Sequence, residues 1–232
     1  MLGFRPDMQN DRQKILLSWS SGKDSAWALH VLRQRDDVEV CGLITSLNQR
    51  HERVAMHGVR EKLLDAQARA AGLPLRKVDL PDPCTNEIYE ERMDEALGRA
   101  KEEGITGIAF GDLFLTDIRE YRERQVARVD LEPIFPIWEC ETRALAYEMV
   151  RAGVRAVLTC VDPKQCPREF AGRVYDETLL QELPESVDPC GENGEFHTFT
   201  YQSPTFRSPI EIEHGEVVQR GDFVFADVIP RS

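Results

Sequence analysis

Residues 14–25 read Lys-Ile-Leu-Leu-Ser-Trp-Ser-Ser-Gly-Lys-Asp-Ser, and their order decides the fold. The apolar run at 15–17 reads as a buried strand, residues 20–25 as a small-residue loop, and 26–32 as the start of a helix. A strand, a tight loop and a helix in that order aim backbone N–H groups and a positive helix end at one point, which suits a phosphate. Gly22 lets the backbone approach the anion or takes a positive φ. Ser20 and Ser25 offer hydroxyls, and Lys23 a point charge. The loop is not a Walker A motif, because Leu17 stands where that motif needs its first glycine and Asp24 where it needs Ser or Thr. Nor does it carry the three spaced glycines of a dinucleotide fingerprint. The plain alternative is an ordinary strand-to-helix turn with a capping Asp or Ser.

Working outward, strands and helices alternate. Residues 38–47 (VEVCGLITSL) form a second expected strand. Residues 56–71 have Val59, Leu63, Ala66 and Ala70 at helical spacing, with Gly72 as a stop. Residues 75–80 are a third strand. Thr85 is a natural N-cap for an acidic helix running to Glu103, which Gly104 ends. Residues 105–110 are a fourth strand, closed by Gly111-Asp112; a helix over 142–152 and a fifth strand over 156–160 follow. This repetition predicts an α/β fold, a parallel twisted sheet with helices on both faces. Ligands of such sheets sit beyond the carboxyl ends of the strands, where the loops after Leu17, Ile44 and Phe110 fall.

The two prolines in 132–138 (EPIFPIW) mark a linker or hinge. Beyond Pro184 the pattern turns to short alternating strands: one over 196–201, a hairpin with His214-Gly215 at its turn, and another over 223–229. The expected organisation is a tail over 1–13, a nucleotide-binding domain over 14–131 and a smaller α+β substrate-binding domain over 132–232.

The chain has 232 residues and a net charge of −12, which argues against a protein whose main work is gripping nucleic acid. Its six cysteines form no C-x-x-C pair, so neither a zinc knuckle nor a dithiol redox motif is indicated. Residues 1–13 are polar and lack the apolar core of a signal peptide. No apolar run approaches the length of a membrane span, so the expectation is a cytoplasmic protein with reduced thiols. Composition leaves the oligomeric state open.

A second candidate site is residues 188–198, Asp-Pro-Cys-Gly-Glu-Asn-Gly-Glu-Phe-His-Thr. From spacing alone, Glu192-Asn193-Gly194-Glu195 is a type I′ hairpin turn. The functional alternative is a loop in which Glu192, Glu195 and His197 hold a substrate or a metal.

The first loop resembles the PP-loop of the N-type ATP pyrophosphatases, usually Ser-Gly-Gly-x-Asp-Ser, with Ser21 where that family has its first glycine. The 188–198 stretch resembles the Asp-x-Cys-Gly-Glu-x-Gly-Glu-Phe/Tyr-His-Thr motif of the diphthine–ammonia ligase family. Residues 56–59, Gln67-Ala68, residues 72–75, residues 110–113 and residues 135–138 are similar to the same family. The likeness runs from about Lys14 to about Phe206. Residues 116–128 (TDIREYRERQVAR) resemble the bacterial members, with Tyr-Arg-Glu, more than the eukaryotic ones. The acceptor is therefore either diphthine or another carboxylate.

The resemblance implies an adenine-nucleotide α-hydrolase-like, Rossmann-like fold and ATP cleavage between the α and β phosphates, with magnesium. It implies nucleotide contacts from Ser20, Ser21, Gly22, Lys23, Asp24, Ser25, Thr45, His57 and Gly111, with Asp24 either the magnesium ligand or a cap of the loop. It implies substrate contacts from Cys190, Gly191, Glu192, Gly194, Glu195, His197 and Thr198. The expected catalytic set is Lys23, Asp24, Asp112, Glu192 and Glu195. The expected reaction is adenylation of a carboxylate followed by amidation with ammonia; no glutaminase module is visible, so free ammonia or a partner supplies the nitrogen. The competing readings are a tRNA-modifying PP-loop enzyme and a nucleotide sensor without turnover.

Overall fold

The structure is a computed structural model that describes residues 12–48, 53–54 and 59–231. The first strand, β1 (Gln13–Ser18), is apolar at Ile15, Leu16 and Leu17, and all three are fully buried. A strand buried on both faces belongs at the centre of a covered parallel sheet. It pairs parallel with β2 (Val38–Asn48) on one side and with β5 (Gly107–Ala109) on the other. Further parallel pairing adds β4 (Leu75–Leu80) beside β2 and β6 (Glu132–Ile134) beside β5. The short β3 (Arg53–Val54) runs antiparallel to the end of β2. The parallel strands therefore lie in the order β4-β2-β1-β5-β6. Chain direction across the sheet reverses between β1 and β5, and a crevice opens beyond their carboxyl ends.

Alternation along the strands sorts the helices. Ile15, Leu17, Leu43 and Ala109 face α1 (Lys23–Leu32) and α2 (Glu61–Ala71). Leu16, Ile44 and Ile108 face α3 (Asn86–Glu102) and α4 (Thr116–Ala127) through Met93, Leu97, Ala100 and Val126. Thr85 caps α3, accepting the Ile88 N–H at 3.4 Å, and Gly72 ends α2 with φ of 67°.

The second sheet is antiparallel. Its centre is β7 (Arg155–Val161), paired with β8 (Val174–Tyr175), β9 (Phe196–Gln202) and β11 (Phe223–Pro230); β10 (Ile212–Arg220) lies outside β11. Two further helices, α5 (Thr142–Arg151) and α6 (Glu177–Glu182), pack on it around Met149, Leu158, Tyr175 and Leu179. Helix α1 is covered on both sides. Ala28 and Leu29 share a core with β1 and with Phe199 of β9, while Trp27 packs into the core of the second sheet.

Several sequence expectations are corrected. The run at 156–160 is not a fifth parallel strand but the middle of the antiparallel sheet, since a strand buried on both faces has the same apolar pattern in either setting. The fifth parallel strand is β6, inside the stretch read as a linker; Pro133 is tolerated there because β6 is an edge. His214-Gly215 is a register irregularity within β10, and the hairpin turns at Gly221-Asp222. Gln13 belongs to β1, not to a tail. Helix α2 starts at Glu61, with Val59 and Arg60 before it; the expected first residues, 56–58, lie outside the described ones. Among the described residues no helix is long and apolar enough to cross a membrane.

Gly107 lets β5 and β6 approach. A Cβ there would stand 2.9 Å from the Glu132 carbonyl oxygen and 3.2 Å from Ile15. Gly107→Ala is expected to lower stability by about 2 kcal/mol in urea unfolding. Gly98→Ala, in α3 with open space around it, is expected to raise stability by about 0.5 kcal/mol. Equal effects would remove the steric argument.

Candidate functional site at the sheet switch point

The loop between β1 and α1 is built by hydrogen bonds from three directions. Trp19 N–H bonds to the Ile44 carbonyl at 2.8 Å, and its indole N–H to Gln67 Oε1 at 2.8 Å. Gln67, fully buried on α2, donates to the Ser21 carbonyl at 2.9 Å and the Thr200 carbonyl at 2.7 Å. The Ser20 hydroxyl accepts the Gly22 N–H at 3.3 Å and donates to Ser25 Oγ at 3.2 Å. Ser25 Oγ in turn donates to the Gly22 carbonyl at 3.0 Å.

Of the two roles open to Gly22, close approach or positive φ, the positive φ falls one residue earlier. Ser21 has φ of 73°, whereas Gly22 is extended at −82°. Gly22 is needed for space: a Cβ would lie 3.3 Å from Thr198 Oγ1. That hydroxyl, from β9, accepts the Lys23 N–H at 3.1 Å and so caps α1 in place of the N-cap residue's own side chain.

Lys23 does not present its charge to the loop. Its ammonium is buried, bonds to both Asp24 oxygens at 2.9 Å and donates to the Cys190 carbonyl. It lies 5.5 Å from the ring centroids of Tyr175 and of Phe196. All three ammonium hydrogens are thus engaged. Burial opposes the charge, but Asp24, the Cys190 thiol and Glu192 together hold the Lys23 pKa above its ordinary value.

Residues 188–195 form a self-bonded knot, not a type I′ turn. Asn193 is not at positive φ, and the positive-φ residues are Gly191 and Gly194. Asp188 Oδ1 accepts from Cys190 N at 2.8 Å and Glu192 N at 3.4 Å. Glu195 Oε1 accepts from Asp188 N at 2.9 Å and Asn193 Nδ2 at 3.0 Å. Glu195, expected from sequence among the catalytic residues, is buried and holds the knot together. The Tyr175 hydroxyl donates to the Pro189 carbonyl at 2.8 Å, and the Cys190 thiol to the Thr142 carbonyl at 3.4 Å. Cys190 therefore contributes its carbonyl to Lys23, and burial pushes its thiol pKa well up.

Glu192 leaves this knot and reaches the other sheet, where its Oε1 accepts the Leu113 N–H at 2.7 Å, just past β5. Gly111 packs so closely on α1 that a Cβ would stand 3.0 Å from the Asp24 carbonyl carbon. Asp112 follows, in an ion pair of 3.6 Å with Arg122 of α4; its buried Oδ2 has no hydrogen bond among the described residues.

Asp24 and Asp112 keep 24% and 21% of their side-chain surface open, and burial is the largest influence raising the pKa of each. Glu192 joins them electrostatically. Burial, then repulsion from Asp24 and Asp112, outweighs the Leu113 N–H and brings its pKa to about 7. His197 is pushed down to about 4 by burial and by Lys23, so it is neutral at pH 7.

The structure thus gathers Ser20, Ser21, Gly22, Lys23, Asp24, Ser25, Gly111, Asp112, Cys190, Gly191, Glu192, Glu195, His197 and Thr198 around one helix end. Thr45 follows Ile44 at the carboxyl end of β2, next to the loop. His57 lies outside the described residues. Sequence reasoning missed Gln67, Tyr175 and Arg122 as parts of the site. Gln67 had a signal: an uncharged polar residue on the apolar face of a helix, among Leu63, Leu64 and Ala71.

Residues 13–133 match the family model described as the diphthamide synthase N-terminal domain, and residues 141–229 that of its C-terminal domain. A diphthine–ammonia ligase of Danio rerio is 32% identical over 186 residues, 73% of this chain and 72% of that protein. The Homo sapiens protein of the same name is 31% identical over 181 residues, 71% of this chain and 67% of that one. Among solved structures, the U34-tRNA thiolase NcsA from Methanococcus maripaludis aligns with a TM-score of 0.35 and 18% identity, over 59% of this chain and 56% of that chain.

Asp24→Asn leaves the Lys23 ammonium buried with the Cys190 carbonyl and two aromatic rings. It is expected to lower unfolding free energy by about 3 kcal/mol, the cost of an uncompensated buried charge, measured by urea denaturation. A loss of about 0.5 kcal/mol or less, the range of an exposed pair, would show that Lys23 does not depend on Asp24.

Proposed function

This chain belongs to the diphthamide synthase family of ATP-dependent ligases, and from that premise we propose that it joins a carboxylate to ammonia through an acyl-adenylate. The observation that carries the reading is the positive end of α1, following a tight loop at the sheet's switch point, with Asp24, Asp112 and Glu192 close enough to act on one another's charge. The division of labour is a nucleotide site on the parallel sheet, over about 14–131, and an acceptor site from the remainder of the chain.

The backbone amides of Ser21, Asp24 and Ser25 and the α1 dipole hold the pyrophosphate that leaves, while the Gly22 and Lys23 N–H groups stay bonded to Ser20 Oγ and Thr198 Oγ1. Ser20 of the loop and Asp24 at the start of α1 are the residues of 20–25 that solvent reaches, so the nucleotide enters on their side. Thr45 and Gly111 flank that entry, and His57 completes the nucleotide set. Lys23 acts from behind, fixing the loop against the Cys190 carbonyl. An acceptor carboxylate oxygen attacks the α phosphorus, and the bond to the β-phosphate oxygen breaks. Ammonia then adds to the acyl carbon, AMP leaves, and the proton released passes to Glu192. Neutral His197 and the polar groups of the 188–198 segment receive the acceptor. That acceptor is diphthine or another carboxylate, small or protein-borne.

Magnesium fits these residues in one form. No group of three His, Cys, Asp or Glu side chains among the described residues is set to cage a metal. Magnesium usually keeps water and takes one or two carboxylates beside phosphate. Asp24 commits both oxygens to Lys23, and Asp112 Oδ2, buried without a hydrogen bond, lies 3.6 Å from Arg122 Nε, so the two carboxylates would hold the ion together. When bound, the ion supplies positive charge for the phosphate oxygens.

Incubation with ATP, magnesium, ammonia and free diphthine, or a cell extract as acceptor source, is expected to yield AMP and pyrophosphate in equal amounts. ADP and phosphate as the products would overturn the adenylation step. Glu192 must be ionised to take a proton, so kcat/KM for ammonia, after correction for free ammonia, is expected to fall about tenfold per pH unit below the Glu192 pKa near 7. Glu192→Gln should lower the rate and abolish that limb. A limb that persists in the variant assigns the base elsewhere.

A further inference from the structure

We propose that Gln67 is a positioning residue whose side-chain amide holds Ser21 in its left-handed conformation and thereby keeps the loop amides aimed at the nucleotide. The inference rests on the reading of that loop as the ATP site.

Ser21 is a residue with a Cβ at φ of 73°, a region that L residues other than glycine rarely adopt. Something must hold it there. Its own hydroxyl does not, because Ser21 Oγ is buried and has no hydrogen bond among the described residues. Its carbonyl is gripped from two sides: Gln67 Nε2 donates to it at 2.9 Å and Thr200 N–H at 3.0 Å.

The second hydrogen of the same amide goes to the Thr200 carbonyl at 2.7 Å, and Gln67 Oε1 takes the Trp19 indole N–H at 2.8 Å. One side chain therefore ties the exit of β1, the loop and β9. A buried amide is costly unless fully bonded, and an apolar residue of equal size would serve the α2 face as well for packing alone. The polar choice is explained by what it holds. The peptide that Gln67 grips joins Ser21 to Gly22, whose N–H bonds to Ser20 Oγ, so its orientation fixes the start of α1 and with it the direction of the Asp24 and Ser25 amides. Released, Ser21 relaxes toward negative φ, and those amides turn away from their common point.

The test is a double-mutant cycle between Gln67→Met, which keeps the volume and removes the hydrogen bonds, and Ser21→Gly, which makes positive φ cost-free. The probe is the non-hydrolysable analogue α,β-methylene-ATP with magnesium, titrated by calorimetry. Gln67→Met is expected to weaken binding about tenfold in the wild-type background, and no more than about twofold in a Ser21→Gly background. Equal losses in both backgrounds, or no loss in either, would overturn the proposal; a merely structural role for Gln67 predicts equal losses. If Gln67→Met does not fold, Trp19→Phe, which removes one anchor of the amide, is put through the same cycle with the same criterion. Absence of heat from the wild-type protein would instead sink the ATP reading. In that event the cycle is read from urea midpoints, where Ser21→Gly must shrink the loss caused by Gln67→Met if the clamp is real.

Discussion

Lys23 carries a charge in a place with almost no access to water, and much of the molecule is arranged around it. A buried ammonium needs a partner for each hydrogen. Two are supplied by Asp24, its neighbour in sequence, and the third by the Cys190 carbonyl, 167 positions away. The knot at 188–195 exists to present that carbonyl: Asp188 and Glu195 turn their carboxylates inward on its own N–H groups, and the Tyr175 hydroxyl pins Pro189. The aromatic faces of Tyr175 and Phe196 close the cage. Two sheets of different topology are thus held at one helix end by a cation that neither alone could satisfy.

That junction coincides with the switch point of the parallel sheet, and the coincidence is what makes a site. Chain reversal between β1 and β5 opens a crevice there whatever the sequence. The loop after β1 brings a helix dipole; the loop after β5 brings Asp112 and the Leu113 N–H; the antiparallel sheet brings Glu192 and Thr198. Burial raises the pKa of all three carboxylates; Asp24 adds to the rise at Asp112, and both add to it at Glu192, which is carried to about 7. His197 is carried the opposite way by the same burial and by Lys23. A base that titrates near neutrality, next to a fixed positive helix end, is an arrangement suited to handling phosphate and ammonium together.

Local pattern made much of the fold legible. The β1–loop–α1 order, β4 and the Thr85-capped α3 stand in the structure where their sequences place them, because each is specified by periodicity and caps within a few residues. What could not be read were choices made by distant pairing. The apolar run of β7 serves a central strand of either sheet, and β6 hides behind a proline that only an edge strand tolerates. The site was legible as two motifs but not as a division of roles. Glu192 and Glu195 look alike in the sequence, yet one reaches across to the Leu113 N–H and the other ties its own loop. Lys23 looks like a phosphate ligand until the third dimension shows Cys190 above it. Gln67 acts on Ser21 from 46 positions away, a distance no local pattern spans.

The account stands or falls on where the polyphosphate lies. A crystal structure with α,β-methylene-ATP and magnesium measures that directly. The account predicts the β and γ phosphate oxygens within hydrogen-bond distance of the backbone N–H groups of Ser21, Asp24 and Ser25, with Lys23 still bonded to Asp24 and the Cys190 carbonyl. A triphosphate bound elsewhere, with those amides facing protein or solvent alone, would contradict it.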